Sequence, residues 1–356
     1  MRLNKAMLAT AIFLLVACGL LFAAPQSVSV LQKYTNADAS GNPINSKLTI
    51  AFAQTDLNTP WRVSEMEHFK FWAQKLGIPH FIWNQANESV STELSNVADL
   101  LAQKPDVLIV DPEASKPLTP VVQMAQKAGV PLVVADRALD VAPGVGTYQV
   151  FIGADQYKIG YQSTVWWIKK LQKVQGTDSP TANLVILEGG VGQDPAIERH
   201  NGVADAIKPY PKIKIVASQS GDWTRDGGRK VMQAWIQRFA PGQILGCFAA
   251  SDEMMLGAQE ALKAAQRTDL DGWFFTGDGQ LEGLQAIIDG TNVADTQNPP
   301  FYGEASLRAA IAISQGVKFH AQTFVLDNET FTNMTPEELD KTKAYVAKIK
   351  LAGLSF

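Results

Sequence analysis

Cysteine is nearly absent from this chain of 356 residues, which contains only Cys18 and Cys247. Cys18 lies in an apolar N-terminal run, so the rest of the chain has a single thiol and no internal disulfide. The surroundings of Cys247, ILGCFAA, predict a buried structural thiol. The length is sufficient for two domains and a substantial hydrophobic core.

The chain also has no large excess of acidic over basic residues, or of basic over acidic residues. Lys and Arg total 31 against 35 Asp and Glu, and no basic block occurs, which argues against a nucleic-acid partner. Four histidines are scattered without H-E-x-x-H or paired-cysteine spacing, so no metal or cofactor is expected. Residues 187–192 (LEGGVG) match neither G-x-G-x-x-G nor G-x-x-x-x-G-K-[ST], which argues against a phosphate loop.

A long apolar run occurs at the N-terminus. Arg2 and Lys5 precede an uncharged run over residues 6–24, which predicts an export signal and a periplasmic location. Three fates stay open: lipidation at Cys18, cleavage near Ala24, or retention as a membrane anchor. Residues 25–46, rich in Ser, Asn, Gly, Gln and Pro, predict a linker.

From residue 47 onward, short apolar runs alternate with segments of helical period. The runs lie at residues 47–53, 79–83, 106–110, 131–135, 148–153, 183–188, 213–218, 244–250 and 273–276. The spacing of Val63, Met66 and Phe69 is typical of one face of a helix. Regular alternation predicts an α/β protein with parallel sheets covered by helices on both faces. Nine or ten strands exceed one comfortable open sheet, so we expect two lobes.

Acidic, basic and aromatic side chains follow the predicted strands at their carboxyl ends. In chain order these are Gln54-Thr55-Asp56, Trp61-Arg62, Asp111, Asp136-Arg137, Glu198-Arg199, Asp222-Trp223, Ser251-Asp252-Glu253 and Asp278. Open α/β sheets bind ligands at this edge. Indole rings stack on the apolar C–H faces of sugars, and carboxylates and guanidinium groups bind pairs of hydroxyls. The set therefore predicts a sugar site.

Each of these residues has a structural alternative when it is taken alone. Asp136-Arg137 could form a surface ion pair, and Trp61 could pack at a helix start. Trp223 could lie at a lobe interface, and Asp111 before proline could form a turn. Two of the carboxylates could also serve a glycosidase, so a carbohydrate-active enzyme stays an alternative.

The region from about residue 47 to 350 resembles the periplasmic sugar-binding proteins that serve ABC transporters, the group of the ribose-binding protein. It is most similar to the galactofuranose-binding members. Residues 218–225 (SQSGDWTR) and 251–258 (SDEMMLGA) carry the resemblance, with shorter matches around Asp136 and Asp278. It implies the type I fold, with two Rossmann-like parallel-sheet lobes joined by three hinge crossings near residues 154, 298 and 327. Lobe 1 would comprise 47–154 plus 298–326, and lobe 2 would comprise 155–297 plus 327–356.

The resemblance also implies a set of ligand-binding residues. Asp136 and Arg137 match the Asp-Arg pair that binds sugar hydroxyls in this family. Trp61 and Trp223 match the positions whose aromatic rings stack on the sugar. The full set is Thr55, Trp61, Arg62, Asp111, Asp136, Arg137, Arg199, Trp223, Ser251, Asp278 and Gln297. Two positions depart from the family: Ser251 replaces the usual Asn, and Asp111 introduces a charge. The identity of the sugar therefore stays open.

The implied function is capture of a monosaccharide, galactofuranose-, ribose- or galactose-like, by a monomer that delivers it to an ABC-transporter permease. A sensor that signals to a membrane chemoreceptor or histidine kinase uses the same fold and stays an alternative. A transcription repressor is disfavoured, because residues 1–46 contain an export signal instead of a helix-turn-helix. We expect binding without catalysis.

Overall fold

The computed structural model describes residues 26–144 and 146–352, which form two β-sheets covered by ten α-helices. The predicted export signal at 1–24, with its candidate lipidation site Cys18, lies outside the described residues. Within 26–144 and 146–352, none of the helices has the length and apolar character needed to cross a membrane. The predicted α/β class with two mostly parallel sheets is confirmed.

The first sheet has seven strands that pair in parallel. They are β1 (Gln26–Ser27), β2 (Thr49–Gln54), β3 (His80–Gln85), β4 (Val107–Val110), β5 (Leu132–Asp136), β6 (Val150–Ala154) and β12 (Gln322–Leu326), in the order β1-β12-β6-β5-β4-β2-β3. Helices α1 (Pro60–Lys75) and α9 (Tyr302–Ser314) cover one face; α2 (Val90–Ala102) and α3 (Pro120–Ala128) cover the other. Alternate β2 residues accordingly enter two separate cores, Phe52 in one and Ala53 in the other.

The second sheet has six strands. They are β7 (Ala182–Glu188), β8 (Ile213–Ser220), β9 (Gly246–Ala249), β10 (Phe274–Asp278), β11 (Asn292–Gln297) and β13 (Thr330–Thr332), in the order β13-β11-β10-β9-β7-β8. Pairing is parallel except between β11 and β13. Its helices are α4 (Gln156–Gln175), α5 (Asp194–Ile207), α6 (Arg225–Arg238), α7 (Asp252–Ala264), α8 (Leu281–Ile288) and α10 (Pro336–Ala352). Cys247 is buried in this core, as predicted.

The chain passes between the sheets three times: between β6 and α4, between β11 and α9, and between β12 and β13. Asn328 connects all three passages. Its side-chain oxygen accepts a hydrogen bond from the Asp155 N–H at 3.1 Å, and its side-chain amide donates to the Gln297 carbonyl at 2.6 Å. We propose that these passages are the hinge and that they bound the two lobes.

The first turn of helix α1 does not bury the face that the spacing of its apolar residues predicts. Met66 and Phe69 are buried as expected, but Val63 is 45% exposed. Arg62 and Glu65 are buried in its place, although both carry charges. The reason is tertiary: the first turn of α1 faces an ion-pair cluster at the edge of the sheet, and only its later turns face the apolar core.

Residues 26–46 pack on the first sheet and so differ from the predicted linker. Strand β1 pairs with β12, and Leu31 is 1% exposed in the core beneath α9. Arg308 of α9 donates hydrogen bonds to the carbonyls of Gln32 at 2.8 Å and Tyr34 at 2.7 Å. The polar composition of the segment hides these contacts, because backbone carbonyls rather than apolar side chains make most of them.

We expect Leu31→Ala to lower the free energy of unfolding by about 2 kcal/mol, since it removes a buried side chain and leaves a cavity. Val30, its neighbour, is 45% exposed, so Val30→Ala should cost less than about 0.5 kcal/mol. Urea unfolding of both variants measures the difference. Equal, near-zero effects would mean that the segment is a free linker.

Candidate functional site

A cavity of about 290 Å³ lies between the two lobes, at the carboxyl ends of several strands. Its volume is at the lower end of the ~300–1,000 Å³ that is usual for small-molecule sites, which favours a compact ligand. Eight of the eleven predicted residues line it: Trp61, Arg62, Asp136, Arg137, Arg199, Trp223, Ser251 and Asp278.

Three predicted residues, Thr55, Asp111 and Gln297, are buried but do not line the cavity. The Thr55 hydroxyl donates to Asp56 at 2.8 Å. Asp111 is paired with Arg62, and the Gln297 amide donates to the Tyr345 hydroxyl at 2.6 Å. In this structure all three side chains contact neighbouring residues, and the ligand contacts that the resemblance implies for them stay predictions.

Arg62 lies at the centre of a buried carboxylate cluster. One terminal nitrogen donates to Glu65 at 2.9 Å and also to Asp111, and the other donates to Asp136 at 2.9 Å. Burial raises the pKa of Glu65 to about 7 and raises that of Asp111, although Arg62 opposes both shifts. Near neutral pH the cluster therefore carries less negative charge than its composition indicates.

Glu65, Asp111 and Asp136 bring carboxylate oxygens within 4.8 Å of one another, the single such group found in the described ranges. Three carboxylates at this spacing could hold a cation. Here the Arg62 guanidinium contacts all three, so an arginine side chain already provides the compensating positive charge.

Asp136 Oδ1 and Arg137 Nε are buried polar atoms that have no hydrogen-bond partner among the described residues. Asp136 Oδ2 accepts from Arg62 at 2.9 Å, and Arg137 Nη1 donates to the Glu113 carboxylate at 3.1 Å. A buried polar atom without a partner costs about 1–3 kcal/mol. A bound hydroxyl compound can supply a donor to Asp136 and an acceptor to Arg137.

Arg199 organises the opposite side of the cavity and is 1% exposed. It donates to Asp278 at 2.9 Å, to the Gln156 side chain at 2.9 Å, and to the Ala250 carbonyl. Burial raises the pKa of Asp278 to about 6, against the opposing attraction of Arg199. At neutral pH Asp278 is therefore largely ionised beside the Arg199 guanidinium.

Two indole rings line the cavity from opposite lobes. Trp61 donates to the Asn298 carbonyl at 2.7 Å, and Trp223 donates to the Gln193 side chain. A Cβ at Gly189 would lie 1.9 Å from the Trp223 ring, so this position requires glycine. The glycine-rich loop after β7 therefore provides space for an indole ring.

Ser251, the departure from the family pattern, has a local structural role. Its hydroxyl oxygen accepts from the Met254 N–H at 3.3 Å as the N-cap of α7. The hydroxyl also donates to the Trp223 carbonyl at 3.3 Å. Ser251 thus connects the start of a helix to an aromatic wall of the cavity.

Backbone strain concentrates around the cavity. Among the described residues, nine non-glycine residues have positive φ, and five of them line the cavity: Glu88, Asp136, Asp222, Trp223 and Asp278. Such conformations cost energy and persist only where surrounding contacts hold them. Their concentration here is typical of a preorganised functional site.

The lobes touch in this structure, and the contacts include residues that the sequence analysis missed. The Gln193 amide donates to Glu113 at 2.8 Å, and the Ser115 N–H donates to the Gly192 carbonyl at 3.2 Å. Glu113 and Gln193 both follow strands, which is the signal that could have found them. These two hydrogen bonds connect the lobes directly across the cavity.

Comparison with known proteins gives consistent matches. The family described as periplasmic binding protein domain matches residues 50–318. The xylitol-binding protein of Mycolicibacterium smegmatis is 34% identical over 66% of this chain, and the match spans 61% of that relative's length. The galactofuranose-binding protein of Escherichia coli is 31% identical over 74% of this chain and 81% of its own length.

A solved structure extends the similarity to the fold. The binding-protein component of the arabinose ABC transporter of Shewanella sp. ANA-3, bound to α- and β-L-arabinofuranose, superposes with a TM-score of 0.76 at 27% identity. The superposition covers 86% of this chain and 97% of that protein.

Proposed function

Because the chain belongs to the periplasmic binding protein family, we propose that it captures a neutral monosaccharide in the periplasm. It then delivers the sugar to an ABC-transporter permease. One observation carries the proposal: Asp136 Oδ1 and Arg137 Nε are buried and unpartnered at a cavity bounded by two indole rings. A sugar hydroxyl satisfies the acceptor and the donor together, and the indole rings match the C–H faces of a sugar.

The charge of the cavity supports a neutral ligand. Seven carboxyl groups and three guanidinium groups line it, and each of the three arginines is already paired with carboxylates. An anionic sugar would add a like charge without finding a free cation. We therefore expect discrimination against sugar acids and sugar phosphates.

The furanose ring is the form that the comparisons favour. The galactofuranose-binding relative and the arabinofuranose-bound structure both concern five-membered rings. Asp136, Arg137, Arg199 and Asp278 suit the hydroxyls of either ring size, so the relatives rather than the geometry support this choice.

We propose that binding is coupled to closure. Trp61, Asp136 and Arg137 come from lobe 1, whereas Arg199, Trp223 and Asp278 come from lobe 2. A sugar that contacts both sets binds the closed state better and shifts the hinge equilibrium towards it. The closed protein then offers the permease a combined surface of both lobes, and the sugar leaves unchanged.

The test is a thermal-shift screen of L-arabinose, D-galactose, D-ribose, xylitol and D-galacturonate, followed by calorimetry. We expect at least one neutral compound to raise Tm with one site per chain, because a ligand that binds only the folded state stabilises it. Galacturonate should have no effect, and mass analysis should recover the sugar intact. A response to amino acids with none to sugars would contradict the proposal, and a cleaved product would indicate an enzyme.

A further inference from the structure

The turn that follows β10 carries two cavity-lining side chains, Asp278 and Gln280, in a strained conformation. Asp278 has a φ of 131°, which non-glycine residues rarely adopt. Two buried carboxylates hold the next two N–H groups of this turn. Asp295 accepts from the Gly279 N–H at 3.0 Å, and Asp252 accepts from the Gln280 N–H at 2.8 Å.

The other oxygen of each carboxylate lacks a partner. Asp252 Oδ1 and Asp295 Oδ2 are both buried and unpaired, and both residues are 0% exposed. The carboxyl group of Asp252 lies against Gly283, where a Cβ would come within 2.3 Å of it, so α8 closes the pocket around it. The two aspartates are close enough that a hydrogen bond between their side chains affects the titration of both.

Among the described residues, no cation forms an ion pair with either aspartate. Asp278 lies near both, the Arg199 guanidinium lies near Asp295, and the Thr276 hydroxyl forms a hydrogen bond with Asp252. Arg199 is itself engaged by Asp278 at 2.9 Å. Two ionised carboxylates in contact, with a third nearby, would repel one another in a region that excludes water. One proton placed between them removes the repulsion and satisfies both unpaired oxygens.

We infer that Asp252 and Asp295 share a single proton and that this carboxyl–carboxylate pair positions the Asp278 turn for ligand binding. The two aspartates are positioning residues, since neither lines the cavity. The pair itself stands on its own geometry, and its effect on binding rests on the proposed function. The arrangement is analogous to the carboxylate dyads in which like charges cannot both ionise.

The electrostatics of the site agree with this assignment. Burial raises the pKa of Asp295 to about 7, although the hydrogen bond with Asp252 opposes the shift. Burial, together with the charges of Asp295 and Asp278, raises the pKa of Asp252 well above its usual range. In the unfolded chain both carboxyls ionise near pH ~4. Above that pH the folded protein therefore holds one proton more than the unfolded chain. Because of this extra proton, the folded protein becomes less stable as pH rises. The equilibrium constant for unfolding increases about tenfold per pH unit until the pair ionises.

The first test is urea unfolding between pH 5 and 9 without sugar. Asp252→Asn places an amide where the proton lies: its oxygen can accept from Gln280 N–H, and its NH2 can donate to Asp295. In the unmodified protein the folded state binds about one proton more than the unfolded state, and in this variant that difference should be absent. We therefore expect the unfolding equilibrium constant of the variant to rise less steeply with pH, by about tenfold less per pH unit. Asp340→Asn, at a side chain 78% exposed, is the matched control and should keep the original slope.

Equal slopes for Asp252→Asn and the unmodified protein would overturn the shared proton. Should Asp252→Asn fold poorly, Asp295→Asn provides the same test from the other side, because its amide can accept from Gly279 N–H and donate to Asp252.

The second test is the affinity for L-arabinose and D-galactose measured by calorimetry from pH 6 to pH 9. We expect affinity to fall by about tenfold more in the unmodified protein than in Asp252→Asn as the pair ionises, because Asp278 and Glu65 titrate in the same range in both proteins. Asp252→Ala should bind weakly at every pH, since it leaves Gln280 N–H unpaired. An identical pH profile in Asp252→Asn would overturn the positioning role. Absence of any sugar response would instead contradict the proposed function, and the unfolding slopes would still decide the pair.

Discussion

Replacing Asp136 with alanine should weaken monosaccharide binding by about 30-fold or more. Truncating one member of a buried, hydrogen-bonded charge pair costs about 2–5 kcal/mol of binding energy, and about 1.4 kcal/mol corresponds to tenfold. Asp136 Oδ1 is the buried acceptor without a protein partner, and Oδ2 anchors the residue to Arg62 at 2.9 Å. Calorimetry with the sugar that gives the largest thermal shift measures the loss.

Two further variants separate binding from folding. Asp136 has a φ of 55°, a conformation that asparagine tolerates better than alanine does, so Asp136→Asn keeps the backbone while it removes the charge. We expect this variant to fold normally and to bind at least about tenfold more weakly. Asp140→Ala, at an exposed carboxylate in the same loop, should bind like the unmodified protein. Unchanged affinity in both Asp136 variants would exclude the residue from the site.

Arg199→Ala should lower the free energy of unfolding by about 3–5 kcal/mol and abolish sugar binding. Arg199 is 1% exposed and donates to Asp278, Gln156 and the Ala250 carbonyl. Its removal leaves the Asp278 carboxylate buried without its counter-charge, so the pKa of Asp278 should rise further above its present value of about 6. Urea unfolding at neutral pH measures the loss of stability.

The control for Arg199 is an exposed arginine. Arg229 pairs with Asp226 on the surface of α6, where its side chain is 38% exposed, and Arg229→Ala should change stability by less than about 0.5 kcal/mol. In the double variant Arg199→Ala/Asp278→Asn, the unpaired charge is gone, so part of the stability should return while sugar binding stays lost. A loss below about 1 kcal/mol in Arg199→Ala would show that the buried pair is not a structural necessity.

Several features of the site follow from local sequence. Asp136, Arg199, Trp223 and Asp278 were expected at one edge because each follows a predicted strand or begins the next helix, and all four line the cavity. Parallel strands place their carboxyl ends on a common edge whatever residues lie between them. For this reason the position of a residue along the chain was sufficient to assign it to the edge.

Features that depend on polar partners could not be predicted in this way. Strand β11 was missed because it carries Asn292, Asp295 and Thr296, which apolar periodicity excludes from a buried strand. Inside the sheet, the Asn292 amide donates to the Thr276 hydroxyl at 3.1 Å, and Asp295 accepts from the Gly279 N–H at 3.0 Å. These partners come from β10 and the turn after it, so the sequence of β11 alone does not reveal them.

Local sequence is sufficient to predict the alternation of strands and helices, the edge at which ligand residues collect, and the family to which the chain is similar. Which of the charged residues face the cavity depends on contacts between distant parts of the chain. Asp111 faces Arg62, and Asp252 and Asp295 hold a turn, whereas Asp136 lines the cavity and has one oxygen without a partner among the described residues. The physical reason is that periodicity and strand position act over a few residues. The role of a buried carboxylate, by contrast, depends on the donors that the whole fold brings within hydrogen-bonding distance.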